Sequence, residues 1–260
     1  MKPKYKLFLI LWLAGLAGVL SLLLLDINAL LNAMPLPEGA QPAEMPPLLL
    51  RFLSVIQPAV LTTLGTLAGV QLAPKVGLHA PAAEAAAERR PFVPALRPQI
   101  FPGIVTGTLC GLAIVAIWLI AKPYLTVDFI ARAEMFNSII PAAMRFLYGG
   151  FTEEILLRWG VMTTFVWILW KVLGSGEKEP RSIWFVIAIL ASALLFGIGH
   201  LPVAYLLSGG LTVPLIFYVI TANSIFGIAA GFLYWKRGLE SAIIAHMFAH
   251  VVLLAAISLV

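Results

Sequence analysis

Seven long apolar runs, separated by shorter polar segments, dominate the chain. A helix that crosses the hydrocarbon core of a bilayer needs about 20 apolar residues, and runs close to this length recur along the whole sequence. The spans predicted from them cover about residues 7–25, 48–72, 100–121, 149–171, 182–206, 211–234 and 239–260. The pattern therefore predicts an all-α, polytopic membrane helix bundle of about seven transmembrane helices, with about six to eight as the range.

The first apolar run follows Lys2, Lys4 and Lys6, an arrangement that is also found at the start of a signal peptide. The apolar region of a cleavable signal peptide is about 7 to 15 residues long, whereas this run is long enough to span a membrane. We therefore expect a retained first helix.

Two proline-rich segments separate the first three spans. Residues 34–47 hold five prolines, which predicts a linker outside any helix. Residues 73–100 hold five more prolines and a run of alanines, together with Arg89, Arg90 and Arg97. This second composition predicts a basic surface loop that contains a short helical piece.

The segment before the fourth span, residues 124–148, mixes apolar residues with charged ones. It is too polar for a clean span, and it predicts a short amphipathic helix at the membrane interface. We divide the chain into an N-terminal region and a core. The N-terminal region, residues 1–123, holds the first three spans and the basic loop, and the core, residues 124–260, holds the interfacial helix and spans four to seven.

The composition agrees with a membrane protein, because 61% of the residues are hydrophobic, 11% are charged and the mean hydropathy is +0.99. These values exclude an ordinary soluble globular protein. The net charge of +5 belongs to the segments between the spans, and nothing in the chain supports a nucleic-acid partner. Cys110 is the only cysteine, which excludes an internal disulfide and a cysteine-based metal site.

The basic residues also predict an orientation in the membrane. With the N-terminus inside, 12 of the 17 Lys and Arg residues fall in inner segments and four fall in outer segments. Because basic residues concentrate on the cytoplasmic side, we expect a cytoplasmic N-terminus in a multi-pass integral membrane protein. In a bacterium its location would be the inner membrane.

The fourth span carries three charged residues, Glu153, Glu154 and Arg158. One charged residue at the centre of a membrane helix costs about 2.5 to 3.5 kcal/mol on insertion scales, so such residues indicate function. Glu154 and Arg158 have the favoured spacing for a helical ion pair. Glu153 points about 100° away around the helix and has no adjacent cation, so it is free to hold a water or take a proton. The alternative is that the three charges only neutralise one another near the interface.

Three of the four histidines lie in predicted spans: His200 in the fifth, and His246 and His250 in the seventh. His246 and His250 share one helix face, since they are separated by about one turn. A carboxylate and several imidazoles in a dry site indicate water activation. The alternative for each histidine alone is a core residue that is hydrogen-bonded across helices.

Three short motifs in the second half of the chain together resemble the CPBP family, which contains the type II CAAX prenyl endopeptidases and bacteriocin-processing or immunity proteins. They are Glu-Glu-x-x-x-Arg at Glu153, Glu154 and Arg158, Phe-x-x-x-His at Phe196 and His200, and a late His-x-x-x-polar motif at His246. The resemblance covers about residues 140–255. Each motif is short, and their order and separation make the combination specific.

The resemblance implies an intramembrane endopeptidase that acts on a protein or peptide presented in or at the lipid bilayer. By position, Glu153 would be the general base that activates water, and His200 and His246 would hold that water or the developing oxyanion. Glu154 and Arg158 would form the support that fixes the helix.

Two further positions follow from the same resemblance. Phe196 would pack one turn before His200. The family usually has Asn where this chain has His250, and an imidazole could donate a hydrogen bond to the oxyanion in its place.

No cofactor is required for a glutamate-activated water. A zinc ion held by Glu153, His200 and His246 remains an alternative, because one carboxylate and several histidines can bind zinc and leave one coordination position for water or substrate. The spacing differs from the His-Glu-x-x-His arrangement, which favours the glutamic-type mechanism.

Two other classes of protein compete with a protease. One is a non-enzymatic immunity or scaffold protein in which the same groups serve the structure, and the other is a proton-coupled transporter. The transporter is disfavoured because the sequence shows no internal repeat.

For hydrolysis inside a membrane, the polar groups must meet in a cavity lined by spans four to seven. The depths in the membrane that are predicted for these polar residues conflict with a shared cavity. Glu153 and His200 fall toward the outer face, whereas His246 falls about 10 Å from the inner end of its span.

Overall fold

The computed structural model describes residues 2–33, 46–174 and 176–258. In these residues the chain forms helices and no strand. Seven helices are long and apolar enough to cross a membrane, which confirms the predicted polytopic bundle. They are Pro3–Leu24, Leu48–Val76, Val93–Tyr124, Ala142–Leu173, Ser182–Ser208, Val213–Lys236 and Leu239–Ile257. Of the predicted linker 34–47, residues 34–45 lie outside the described residues.

In residues 2–33 and 46–123, the N-terminal region contains three spanning helices and two short ones. They are α1 (Pro3–Ser21, extended by a 3-10 turn at Leu22–Leu24), α2 (Ile27–Ala33), α3 (Pro47–Val76), α4 (Pro81–Ala87) and α5 (Val93–Ala121). The first span is thus a regular helix over nearly the predicted length.

The structure differs from the predicted loop at residues 73–100. Helix α3 extends through this stretch to Val76 and α5 begins at Val93, so the connection between them is shorter than expected. The short helical piece is α4, and four of its alanines are buried. A carboxylate oxygen of Glu240 accepts the backbone N–H groups of Ala82 and Ala83, each at 2.9 Å. The small alanine side chains let α4 pack against the bundle, so this segment is not a surface loop.

The predicted interfacial helix is shorter than expected. Helix α6 covers Val127–Ile139, and its first turn is capped by Thr126, whose hydroxyl accepts the N–H of Phe129 at 3.3 Å. The helix ends before Pro141 because a proline disfavours helical geometry in the residue before it, and Ile140 is extended. The residues after Pro141 already belong to the next spanning helix.

That spanning helix, Ala142–Leu173, is called the central helix here. It begins one to two turns earlier than predicted and consists of α7 (Ala142–Met144), two π-helical segments (Arg145–Glu153 and Ile155–Met162) and α8 (Thr163–Leu173). In a π-helix each N–H bonds to the carbonyl five residues earlier, and such turns occur frequently at functional sites.

Four helices complete the chain: α9 (Ser182–Gly199), α10 (Leu201–Ser208), α11 (Val213–Lys236) and α12 (Leu239–Ile257). The predicted fifth span is divided into α9 and α10 at His200. Pro202 follows this break and has no backbone N–H to continue the helical hydrogen bonds.

The central helix lies between two groups of helices. Helices α1 and α3 pack on one side of it, and α9, α11 and α12 contact it on the other. Glycines of α1 permit the close approach on the first side, where Thr152 donates its hydroxyl to the carbonyl of Gly15 at 2.7 Å. Helix α12 in turn packs most extensively on α5. The arrangement encloses Arg145, Glu154 and Arg158 of the central helix within the bundle.

The contact between α5 and α12 generates a stability prediction. A Cβ atom at Gly107 would lie 2.8 Å from the carbonyl carbon and Cα of Ala245, which are backbone atoms and have no room to move. We expect Gly107→Ala to destabilise the protein by about 1 to 3 kcal/mol, the usual cost of overpacking, measured by thermal unfolding in detergent. The control is Gly199→Ala, where no atom lies within 4 Å and alanine favours a helix. Unchanged unfolding temperatures for both variants would contradict this packing.

Candidate active site

The carboxylate of Glu154 connects the central helix to α12. One of its oxygens, Oε1, lies 3.1 Å from Nη1 of Arg158 and 2.8 Å from Nδ1 of His246. The Glu154 side chain has no solvent exposure and that of Arg158 is 1% exposed. The ion pair expected from the helical spacing is therefore present, and the histidine is a second partner for the same oxygen.

The guanidinium of Arg158 lies against aromatic rings. Its central carbon is 5.0 Å from the ring centre of Phe196 and 5.5 Å from that of Phe226. A cation over an aromatic face is attracted by about 2 kcal/mol when water is excluded. The two phenylalanines, from α9 and α11, thus help to stabilise the buried guanidinium of Arg158, which pairs with one carboxylate, that of Glu154.

Glu153 has a different environment from Glu154, although the two residues are adjacent. Its side chain is 19% exposed, and its Oε2 lies 3.7 Å from Nε2 of His246. This separation is too long for a direct hydrogen bond, whereas one water can bridge two polar atoms at such a distance. His246 therefore contacts both carboxylates, one through each ring nitrogen.

His200 occupies the break between α9 and α10. Its Nδ1 lies 2.8 Å from the carbonyl oxygen of Phe196, and the two rings meet edge to face with centres 4.7 Å apart. Because a carbonyl can only accept, this contact places a proton on Nδ1 and leaves Nε2 as the variable nitrogen. The position of Phe196 one turn before His200 agrees with the expected packing.

His246 and His250 stack with ring centres 5.0 Å apart and planes inclined by 17°. Gly149 of the central helix faces both rings. A Cβ atom built on Gly149 would lie 2.7 Å from Nε2 of His250 and 3.1 Å from Nε2 of His246. The glycine thus leaves open the space toward which both Nε2 atoms point.

These residues border a cavity of about 500 Å³ formed by α6, the central helix, α9, α10, α11 and α12. The polar residues of its lining, called the polar wall here, include Arg145, Tyr148, Glu153, His200, His246 and His250. The apolar residues of its lining, called the apolar wall, include Phe129, Phe136, Val203, Leu207 and Val219. The cavity agrees with the expected convergence of spans four to seven, and α6 covers it rather than lying apart.

The structure brings most of the predicted residues to this one cavity. Glu153, Phe196, His200, His246 and His250 line it. Glu154 and Arg158 do not line it, and they lie behind His246 in the protein interior. The predicted conflict of depths disappears because the central helix begins at Ala142, which moves Glu153 toward the middle of its span.

Four features of the site are not anticipated by the sequence motifs: Phe226, Tyr148, Asn223 and the position of Gly149 opposite the histidines. Phe226 stacks on His246 with ring centres 4.4 Å apart, and Tyr148 and Asn223 line the cavity. Asn223 is an amide inside a predicted span, which is a usable signal because polar residues there need partners. The sequence offers no comparable signal for Phe226 among the many aromatic residues of the bundle.

The side chains proposed for a zinc site do not fit one in this structure. In the described part of the chain, no three His, Cys, Asp or Glu residues are arranged to hold a metal ion. The set Glu153, His200 and His246 therefore does not form a ligand cluster, and no reaction step is assigned to a metal.

Comparison with known proteins identifies the family of this region. Residues 135–252 match the family described as type II CAAX prenyl endopeptidase Rce1-like. The match confirms the predicted resemblance over a little less than half of the chain, and it includes every residue of the three motifs. No curated protein and no solved structure matches the chain significantly. The family indicates a membrane protease of the CAAX type with a protein substrate at the membrane, and the seven apolar helices indicate an integral, multi-pass protein.

The buried ion pair generates a second stability prediction. Arg158→Met keeps an unbranched apolar stem in place of the arginine stem and leaves Glu154 without its cation. We expect a loss of about 3 to 5 kcal/mol in the free energy of unfolding, because removing one partner strands a buried charge. The matched control is Arg181→Met, which removes the cation from an exposed pair of the same spacing with Glu177 and should cost about 0 to 1 kcal/mol. Equal losses for the two variants would contradict the assigned role of the pair.

Proposed function

Starting from the match of its core to the Rce1-like family, we propose that this chain is an intramembrane endopeptidase that uses a glutamate-activated water. It would hydrolyse a peptide bond near the C-terminus, or in the membrane anchor, of a protein substrate. The observation that carries the proposal is the contrast between adjacent carboxylates. Glu154 is buried with two partners, and Glu153 faces the cavity with 19% of its side chain exposed.

His246 and Glu153 together provide a place for the attacking water. The carboxylate of Glu154 accepts a hydrogen bond from Nδ1–H of His246, and in this tautomer Nε2 carries a lone pair. A water between this Nε2 and Oε2 of Glu153 can donate one hydrogen to each of them, since the two atoms are 3.7 Å apart. The water oxygen then keeps its lone pairs for the substrate.

The reaction proceeds by general base catalysis at Glu153. The water oxygen attacks the carbonyl carbon of the scissile peptide, and the proton that it loses passes to the Glu153 carboxylate. The tetrahedral oxyanion develops beside Nε2 of His200, whose ring is oriented by the bond between its Nδ1 and the carbonyl of Phe196. Collapse of the intermediate breaks the C–N bond, and Glu153 returns its proton to the leaving amine.

His250 takes the place of the asparagine that the family usually has. Its Nε2 points toward the same space at Gly149 as Nε2 of His246. An N–H at this position can donate to the oxyanion as an amide would. We assign this donation to His250 as the second stabilising contact.

The apolar wall of the cavity suits a lipid-anchored substrate. The side chains of Phe129, Phe136, Val203 and Leu207 offer an apolar surface in the same cavity as the polar residues. A prenyl group or the apolar part of a membrane anchor would lie against them, with the adjoining peptide bond next to Glu153. In a bacterium, a peptide precursor or a sorting tag would meet the same requirements.

Replacing the proposed base tests the function directly. We expect Glu153→Gln to lower the cleavage of a quenched farnesyl-cysteine peptide in liposomes by about 10² to 10⁴-fold, because an amide cannot take the proton. Folding should be unaffected, since Glu153 is partly exposed and the shape is retained. The control is Glu134→Gln, an exposed residue of α6. A normal rate or a normal phenotype for Glu153→Gln would favour the scaffold alternative.

Gly149 provides a test of the space in front of the histidines. We expect Gly149→Ala to abolish cleavage in the same assay, because the added methyl group would occupy the position next to both Nε2 atoms. Gly150→Ala is the matched control, since its Cβ would meet only the flexible side chain of Met247 at 2.9 Å. Thermal unfolding of both variants in detergent separates a blocked site from a loss of fold. Similar cleavage rates for the two variants would count against the proposed position of the water and substrate.

A further inference from the structure

Tyr148 carries a phenol at the polar wall of the cavity that the proposed reaction does not use. The residue lines the cavity from the first π-helical segment of the central helix. Its hydroxyl forms no hydrogen bond with the described residues, and it is not one of their buried polar atoms that lack a partner. Thr152, a neighbouring hydroxyl, already donates to the carbonyl of Gly15 at 2.7 Å. The phenol of Tyr148 is therefore open to the cavity and available to a ligand.

The winding of the central helix places this phenol next to the proposed base. In a π-helix each N–H bonds to the carbonyl five residues earlier, so Tyr148 and Glu153 lie one turn apart in the segment Arg145–Glu153. In an α-helix, five positions would separate the two side chains by about 140° around the axis. The π-helical turns thus bring the phenol and the carboxylate to one side of the helix, where both line the cavity.

The same turn borders the place proposed for the attacking water. That water lies between Oε2 of Glu153 and Nε2 of His246, which are 3.7 Å apart. Gly149, the residue after Tyr148, faces the same nitrogen, since a Cβ atom built on it would lie 3.1 Å from Nε2 of His246. A peptide carbonyl that this water attacks therefore lies beside the turn from Tyr148 to Glu153.

A phenol supplies a donor that the imidazoles of the site provide only in some of their states. An imidazole Nε2 donates a hydrogen bond only in the tautomer or charge state that places a proton on it. A phenol keeps its proton at neutral pH and can donate in every state of the site. The chain has His250 where the family usually has Asn, whose amide group also donates in every state. A permanent donor is therefore absent from that position.

We propose that the hydroxyl of Tyr148 donates a hydrogen bond to the carbonyl oxygen of the scissile peptide and keeps it as this oxygen becomes the oxyanion. The inference rests on the proposed endopeptidase function and adds a catalytic residue to it. The hydrogen bond strengthens as negative charge develops on the oxygen, so it lowers the barrier more than it tightens substrate binding. The phenol keeps its O–H bond throughout, and the proton transfers remain those of Glu153.

Tyr148→Phe tests the assignment, because it removes the hydroxyl and retains the ring. Cleavage of the quenched farnesyl-cysteine peptide is measured with the full-length protein in liposomes, over peptide concentrations that give kcat and KM separately. We expect kcat to fall by about 10²- to 10³-fold, the usual cost of removing one oxyanion donor. KM should stay nearly unchanged, because the interaction is made mainly in the transition state. The unfolding temperature in detergent should also be unchanged.

Tyr218→Phe is the matched control. Tyr218 lines the same cavity, and its hydroxyl likewise forms no hydrogen bond with the described residues. It lies on α11 eight residues before Phe226, which stacks on His246, and this separation is about 12 Å along the helix. The variant should therefore keep the kcat of the unchanged protein.

Binding of a transition-state analogue gives a second readout that a structural role of the hydroxyl would not change. The probe is a farnesyl-cysteine peptide with a phosphinate in place of the scissile amide, which presents tetrahedral, negatively charged oxygen atoms to the site. For Tyr148→Phe, its inhibition constant should rise by about the factor by which kcat/KM falls. For Tyr218→Phe, it should not change.

The outcomes separate this assignment from the proposed function. Cleavage by the unchanged protein together with a normal kcat for Tyr148→Phe would reject the phenol and retain the endopeptidase. An equal loss in both tyrosine variants, a lowered unfolding temperature for Tyr148→Phe, or a loss of kcat with unchanged phosphinate binding would reject the phenol as well. No cleavage by the unchanged protein would reject the endopeptidase function, and the role of Tyr148 with it.

Discussion

The interactions of the buried Glu154 carboxylate determine the geometry of the candidate site. A carboxylate without solvent exposure must have partners, since an isolated buried charge is strongly unfavourable. One partner, Arg158, belongs to the same helix, and the other, His246, comes from α12, which is 92 residues away in the sequence. The need to satisfy one oxygen therefore fixes how α12 is positioned against the central helix. It also fixes the ring of His246, so that Nε2 faces the cavity.

The contrast between Glu153 and Glu154 follows from this constraint. Two adjacent residues of a helix cannot point to the same side, so the burial of one carboxylate directs the other elsewhere. Here the other direction is the cavity, where Glu153 meets the free nitrogen of His246. The π-helical segments before and after Glu154 change the number of residues in each turn. They bring Gly149 opposite His246 and His250, so that backbone without a side chain faces the imidazoles.

Most of the fold can be predicted from the sequence, because hydropathy reflects the free energy of transfer from water to hydrocarbon that also places apolar helices in a bilayer. The apolar runs predict all seven spans, and spacing alone predicts the ion pair between Glu154 and Arg158. The type of helical turn and the packing of the short helices, in contrast, cannot be predicted from hydropathy. Neither the π-helical turns nor the packing of α4 changes the apolar content, so no hydropathy pattern reveals them. The predicted segments 124–148 and 182–206 continue past Pro141 and Pro202, and the structure shows that α6 ends before the first proline and that the fifth span breaks just before the second.

The site itself is predictable only in part, for a related reason. Charged and imidazole side chains are rare in a membrane helix, and this rarity distinguishes Glu153, His200 and His246 from the apolar residues around them in the sequence. Phe226 and Gly149 are ordinary residues in an apolar chain, and their importance arises from the side chains that tertiary packing places beside them. The polar pattern assigns Arg145 to an interfacial helix, because its burial depends on the start of the central helix at Ala142.

The two walls of the cavity account for how hydrolysis and a bilayer can coexist in one protein. Water and fixed charge are unfavourable in hydrocarbon, and a lipid-linked peptide is unfavourable in water. A cavity of about 500 Å³ lined by both charged and apolar residues offers each component a suitable surface in one space. Helix α6 supplies much of the apolar side through Phe129 and Phe136, while the central helix and α12 supply the polar side. Under the proposed function, the peptide bond to be cut would lie next to Glu153, and the apolar part of the substrate would lie against the apolar residues of the same cavity.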